Sequence, residues 1–199
     1  SLNIFDTRII GAQGDLIHTE GTLAMGVNHQ CLLLSDGTVA CWGNSYHGQL
    51  GNGSTTSIDS SIPVRVSLPS GITARSISAG WYHTCAIMDN GSLMCWGKGN
   101  NGEIGDNGGV DRSSPAYVNL PAGRTVEAVT GGRHHTCAIL DDGSLWCWGQ
   151  NTYHQLGDGT NTGRAVPVNS PLPHGRTAIS VAAGDTYTCA ILDDGTVRC

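Results

Sequence analysis

At 199 residues, with 39% hydrophobic and 13% charged residues, the chain can bury a sizeable core and falls outside the composition of disordered proteins. Ten basic residues, only one of them a lysine (Lys98), stand against 16 acidic ones, and the resulting net charge of −6 makes nucleic acid a poor partner. No apolar run approaches the roughly 18 residues of a membrane-spanning helix, so no membrane insertion is expected, and 29 glycines with 7 prolines favour short strands joined by tight turns, an all-β chain.

In chain order, residues 1–24 are the divergent part. Ser1-Leu2-Asn3 offers neither an initiator methionine nor a basic-then-apolar signal, so a processed or trimmed start is expected. The stretches 11–16 and 21–26 lead into the first cysteine pair as strands of a blade edge or cap. Residues 25–199 are four copies of one unit: first cysteines at 31, 85, 137 and 189 are spaced by 54, 52 and 52, and Pro63, Pro115 and Pro167 by 52 and 52.

Each unit is built on a hairpin. In the copy from Cys137 to Gly149, an acid-and-glycine turn (Asp141-Asp142-Gly143) separates two apolar arms, and pairing 139 with 145 sets Cys137 opposite Cys147. The same geometry recurs at Cys31 and Cys41, Cys85 and Cys95, and Cys189 and Cys199. After each Trp-Gly comes a loop rich in Asn, Gly, Ser and Tyr, then a proline-bearing strand, a Leu-Pro turn and a strand entering the next hairpin. The fourth copy reaches Cys199, where its predecessors continue with Trp-Gly. A strand from a neighbouring chain, such as its segment 1–24, is expected to complete that blade and link subunits into a ring or filament.

Nine residues between paired cysteines fits neither a zinc site, which favours two to four, nor a redox motif, which has two. Structural disulfides 31–41, 85–95, 137–147 and 189–199 are expected, and such bridges place the protein in an oxidising compartment, secreted or at the cell surface. Both faces of the hairpin are apolar: Cys137, Ile139, Leu145 and Cys147 alternate with Ala138, Leu140, Trp146 and Trp148. Such a strand pair must be covered on both sides. Small sheets stacked radially achieve this, which is the logic of a β-propeller.

The run Gly132-x-x-His135-Thr136-Cys137-Ala138-Ile139-Leu140-Asp141-Asp142-Gly143-Ser144-Leu145-Trp146-Cys147-Trp148-Gly149, followed by Asn151 and Gln155-Leu156-Gly157, resembles the repeat of the regulator of chromosome condensation (RCC1) family. It is most similar to the cysteine-paired variety of secreted bacterial proteins. The resemblance covers roughly residues 25–199 and implies RCC1-like β-propeller blades. Propellers of this family usually have seven, which at this repeat length need about 364 residues, so four units imply an open ring or one completed by something else. It does not imply one function, because members include a nucleotide-exchange factor for a small GTPase, a secreted inhibitor of β-lactamases and surface proteins.

His29, His83 and His135 precede the first cysteine by two residues, with Tyr187 in the fourth copy. They read either as a metal-binding ring in a central channel or as a repeated structural hydrogen bond to a neighbouring turn, and the tyrosine favours the second. Asp36, Asp89, Asp141, Asp142, Asp193 and Asp194 read as turn residues beside glycine rather than calcium ligands or catalytic acids. Asn52, Asp106 and Asp158 lack the ligand spacing of a calcium loop. Nucleophile, zinc-protease and phosphate-loop motifs do not occur, so neither an enzyme nor a cofactor is expected. Asn52-Gly53-Ser54 and Asn90-Gly91-Ser92 are glycosylation sequons.

The variable loops carry the remaining chemistry. Tyr46 and His47, Asn100 and Asn101, and Tyr153 and His154 follow the Trp-Gly pairs; Trp81 and Tyr82, Arg133 and His134, and Thr186 and Tyr187 precede the hairpins. Aromatic and amide side chains on loops held by a rigid scaffold are the composition of a recognition face, although they also cap and pack such loops. The expectation is a secreted, non-catalytic scaffold for protein recognition or surface assembly. The alternative is a secreted inhibitor or a module binding an enzyme or glycan.

Overall fold

The structure, a computed structural model, describes residues 8–10, 16–18, 21–54 and 56–199. Strands β1 (Arg8–Ile10) and β2 (Leu16–His18) pair with each other as a separate antiparallel ribbon. The first blade consists of β3 (Thr22–Met25), β4 (His29–Leu33), β5 (Val39–Gly43) and β6 (Ser60–Arg65), so it takes in residues on both sides of the expected boundary at 24. The second is β7 (Ala74–Ala79), β8 (His83–Met88), β9 (Leu93–Gly97) and β10 (Arg112–Tyr117). The third is β11 (Val126–Gly131), β12 (His135–Leu140), β13 (Leu145–Gly149) and β14 (Arg164–Asn169). The fourth has β15 (Ala178–Ala183), β16 (Thr188–Leu192) and β17 (Val197–Arg198).

Every blade is an antiparallel meander. Its middle pair has the register the cysteines dictate: Cys31 opposite Cys41, Cys85 opposite Cys95 and Cys137 opposite Cys147, and all four expected disulfides are formed. The turns closing these pairs owe their shape to short polar side chains. Asp36, Asn90, Asp142 and Asp194 each accept the backbone N–H two residues on, at 2.9–3.0 Å. Asp89 accepts the Thr73 hydroxyl, and Arg124 and Arg176 pair with the acids of the turns at 141–142 and 193–194. The doubled acids are therefore turn and ion-pair residues.

The first strands β3, β7, β11 and β15 lie side by side, and backbone bonds bridge them: Val27 N–H to Trp81 O, Trp81 N–H to Gly132 O, and Arg133 N–H to Gly184 O, at 3.1–3.2 Å. The outermost strands carry Pro63, Pro115 and Pro167, which lack the N–H that an added strand would need.

The core is divided among the three seams where blades face each other. Leu33, Cys41, Met88 and Trp96 meet in the first, Ile87, Leu93, Leu140 and Trp148 in the second, and Ile139, Cys147, Ala190 and Leu192 in the third. Consequently β8, β9 and β12 are buried throughout, as the two-faced apolar pattern required.

Candidate functional site

One hydrogen-bond relay, repeated three times, sets the geometry of the seams. His29 Nε2 lies 2.8 Å from the Thr84 hydroxyl of the next blade, His83 Nε2 2.9 Å from Thr136, and His135 Nε2 2.9 Å from Thr188. Each threonine hydroxyl gives its own proton to a loop carbonyl of the preceding blade: Gln49 O at 3.5 Å, Glu103 O at 2.8 Å and Gln155 O at 2.8 Å. With that proton committed, the hydroxyl accepts from imidazole, which fixes the Nε2–H tautomer. The indole N–H groups of Trp96 and Trp148 donate to the first two of these carbonyls, at 3.0 and 2.8 Å. The histidines thus bond a strand of the next blade, not the neighbouring turn expected from sequence. Burial pushes all three down to about pKa 4, neutral at physiological pH.

Glycine three residues before each of these histidines is required by contact. A Cβ at Gly80 would run into the His83 ring and come within 2.5 Å of the Gly132 carbonyl oxygen. The relay therefore holds the turns that follow β3, β7, β11 and β15, and the long loops after β5, β9 and β13, at one end of the blades. Every loop residue singled out by sequence lies at that end.

Six of those residues form a continuous stretch across three blades. Tyr46 meets His47 edge-on (centroids 4.9 Å apart), His47 meets Tyr82 (5.7 Å), Tyr82 meets Trp81 (6.2 Å), and His134 stacks on Tyr82 (6.1 Å). Arg133 covers the Trp81 ring at 4.5 Å and is held by Asp185 at 3.2 Å. Tyr46 projects with 70% of its surface exposed, while the others are half-buried. Asn101 gives its backbone and side-chain N–H groups to the Glu103 carboxylate at 2.9 Å each, and both Asn100 and Asn101 are exposed on that loop.

Residues that sequence reading passed over hold this stretch in place. Asp111 accepts from His47 Nδ1 at 2.7 Å and from Gly99 N–H at 2.9 Å. Lys98 lies over the Tyr82 ring, 5.5 Å from its centroid, and 3.4 Å from His134 Nδ1. Glu103 is fully buried, with its Oε1 3.3 Å from the same His134 nitrogen. Burial alone would raise the Glu103 carboxyl, but the His134 hydrogen bond and further polar neighbours hold it below the ordinary value. One signal was available beforehand: Glu103 stands where the other copies have Gln49 and Gln155.

Tyr153, His154 and Tyr187 do not join this stretch. They line a cavity of about 350 Å³ at the third seam, over Leu145, Leu156 and Ala190. Its position corresponds to the places where the Trp96 and Trp148 rings sit against Gly51 and Gly105 at the earlier seams. His154 has a left-handed φ of 62°, in the region that Gly48 (78°) and Gly102 (91°) occupy in the first two copies.

The profile of the regulator of chromosome condensation (RCC1) repeat matches residues 36–87, 90–139 and 142–191. The ultraviolet-B receptor UVR8 of Arabidopsis thaliana is 29% identical over 175 residues, which are 88% of this chain and 39% of that protein. Prp20p from Saccharomyces cerevisiae, whose structure was described with its binding properties to Gsp1p and histones, superimposes with a TM-score of 0.76 at 25% identity, over 88% of this chain and 44% of Prp20p. The CRINKLY WD40 ectodomain of the Arabidopsis thaliana receptor kinase ACR4 is likewise 25% identical, with a TM-score of 0.52 over 89% of this chain and 48% of the ectodomain. The chain spans less than half the length of each of these relatives.

Proposed function

Because the chain belongs to the RCC1 repeat family, we propose that it is a non-catalytic recognition module that works in an oxidising, extracellular setting and grips a protein partner with the loop end of its blades. The observation that carries this reading is the unbroken stretch Tyr46, His47, Tyr82, Trp81, His134 and Arg133. Tyrosine, tryptophan and arginine dominate protein-binding hot spots because they supply large contact area at low conformational entropy. Here they are braced by a relay that repeats at every seam, so little ordering remains to oppose binding.

Support for the setting comes from the disulfides. Four bridges at identical positions of four blades are not sustained in a reducing cytosol, and the ACR4 relative is itself an ectodomain. The Prp20p relative, described through its binding of proteins, supports a protein partner.

The test compares three proteins in the extracellular fraction of the source: the native chain, a Tyr46→Ala/Tyr82→Ala variant, and a Tyr117→Ala control on the outer strand β10. Photo-cross-linking is expected to give one adduct with the native chain and the control and none with the double variant. Equal adducts from all three would remove the loop end as the binding surface. Recovery of the protein only from the cytosol would overturn the proposed setting.

A further inference from the structure

His134 Nδ1 faces two groups, the Glu103 carboxylate at 3.3 Å and the Lys98 ammonium at 3.4 Å, and it cannot donate to one and accept from the other at once. The buried carboxylate decides between them. Glu103 has no exposure to water, and a buried charge that loses a donor costs far more than a half-buried ammonium that keeps solvent. Nδ1 therefore carries its proton toward Glu103, and the Lys98 N–H groups are left without an acceptor at His134.

Lys98 is singular in a second way. Among the described residues at the loop end, Arg112, Arg133 and Arg164 each have a carboxylate within 4 Å, and Lys98 has none. The ammonium rests on the Tyr82 ring instead. A cation held over an aromatic face, beside a stacked imidazole and with its hydrogen-bond donors free, is complementary to an incoming carboxylate.

We propose that the second seam, through Lys98 beside Tyr82 and His134, is the receptor for a carboxylate side chain on an acidic segment of the partner. This rests on the reading of the loop end as the recognition face. Glu103 is the positioning residue: its charge, where the other seams use glutamine, orients His134 and keeps it from capturing the lysine.

Capped fluorescent peptides of alternating glutamate and glycine, glutamine and glycine, and lysine and glycine serve as probes in polarisation titrations at low ionic strength. The chain's net charge of −6 alone ranks the lysine peptide tightest and the glutamate peptide weakest. The expected result is the reverse for the first two, with the glutamate peptide bound about fivefold more tightly than the glutamine peptide. Lys98→Glu is expected to abolish that preference, Arg75→Glu on β7 to retain it, and Glu103→Gln to weaken it while the melting temperature stays within a few degrees. A glutamate peptide bound no better than glutamine, or a preference that survives Lys98→Glu, overturns the proposal. If Lys98→Glu leaves the natural adduct intact while Tyr46→Ala/Tyr82→Ala removes it, the recognition face stands and the acidic segment falls.

Discussion

His29, His83 and His135 drop from an ordinary pKa of 6.5 to about 4 on folding because each ring is withdrawn from water into a seam. Between those values the unfolded chain binds protons that the folded chain refuses, so stability rises with pH across the window. The contribution of the neutral rings is complete above pH 6.5 and is lost progressively as the pH falls toward 4. Full expression of such a shift is worth on the order of 3 kcal/mol per ring. Urea midpoints should therefore decline steeply between pH 6.5 and 4.5, and a flat profile would contradict neutral buried imidazoles. His154 gives an independent prediction at the same scale. It bears a side chain at a left-handed φ where the first two copies have glycine, and a left-handed L residue costs roughly 1–2 kcal/mol. His154→Gly should raise the melting temperature; a fall would show that the Nδ1 contact with Thr160 O at 2.9 Å outweighs the strain and would overturn this prediction.

The unit at the next scale is the relay between blades. Thr136 accepts from His83 and donates to Glu103 O, so removing its hydroxyl orphans a buried N–H while the carbonyl keeps the Trp148 indole. Thr136→Val preserves shape and should cost about 1–3 kcal/mol, whereas Thr136→Ser should retain most of the stability; equal losses in chemical denaturation would assign the effect to packing. This is also where sequence and structure part. The hairpins were legible because a two-residue side-chain period and the cysteine positions fix their register. The histidine's importance was legible from its recurrence. Its partner was not, because recurrence reveals that a contact repeats without telling which blade receives it. His134 was singled out as a loop residue, but its meeting with Lys98 and Glu103 escaped for the same reason: residues 31 and 36 positions apart meet only once two sheets face each other across a seam.

In the whole molecule, the core is three seams in series rather than one centre. Stability in such an array is close to a sum of blade and seam contributions, and a seam can therefore change its chemistry without disturbing the others. The second seam differs in this way: it has a buried glutamate where its neighbours have glutamine, and beside it stands Lys98, which has no carboxylate within 4 Å among the described residues. The recurring positions of this family thus describe the fold, and departures from recurrence are where to look for what one member does.

The covalent bridges also set how the chain would respond to load. Each S–S bond joins residues ten apart across the middle of a blade. Tension applied along the backbone passes through the sulfur atoms, and the hairpin turn carries none of it. Each bridge conceals about 30 Å of extensible chain. In single-molecule stretching, reductant should lengthen the fully extended protein by that increment for every bridge opened. Without reductant the blades can be pulled apart at their seams, yet the central ribbon of each remains closed, a ready template for the sheet to rebuild when the force is released.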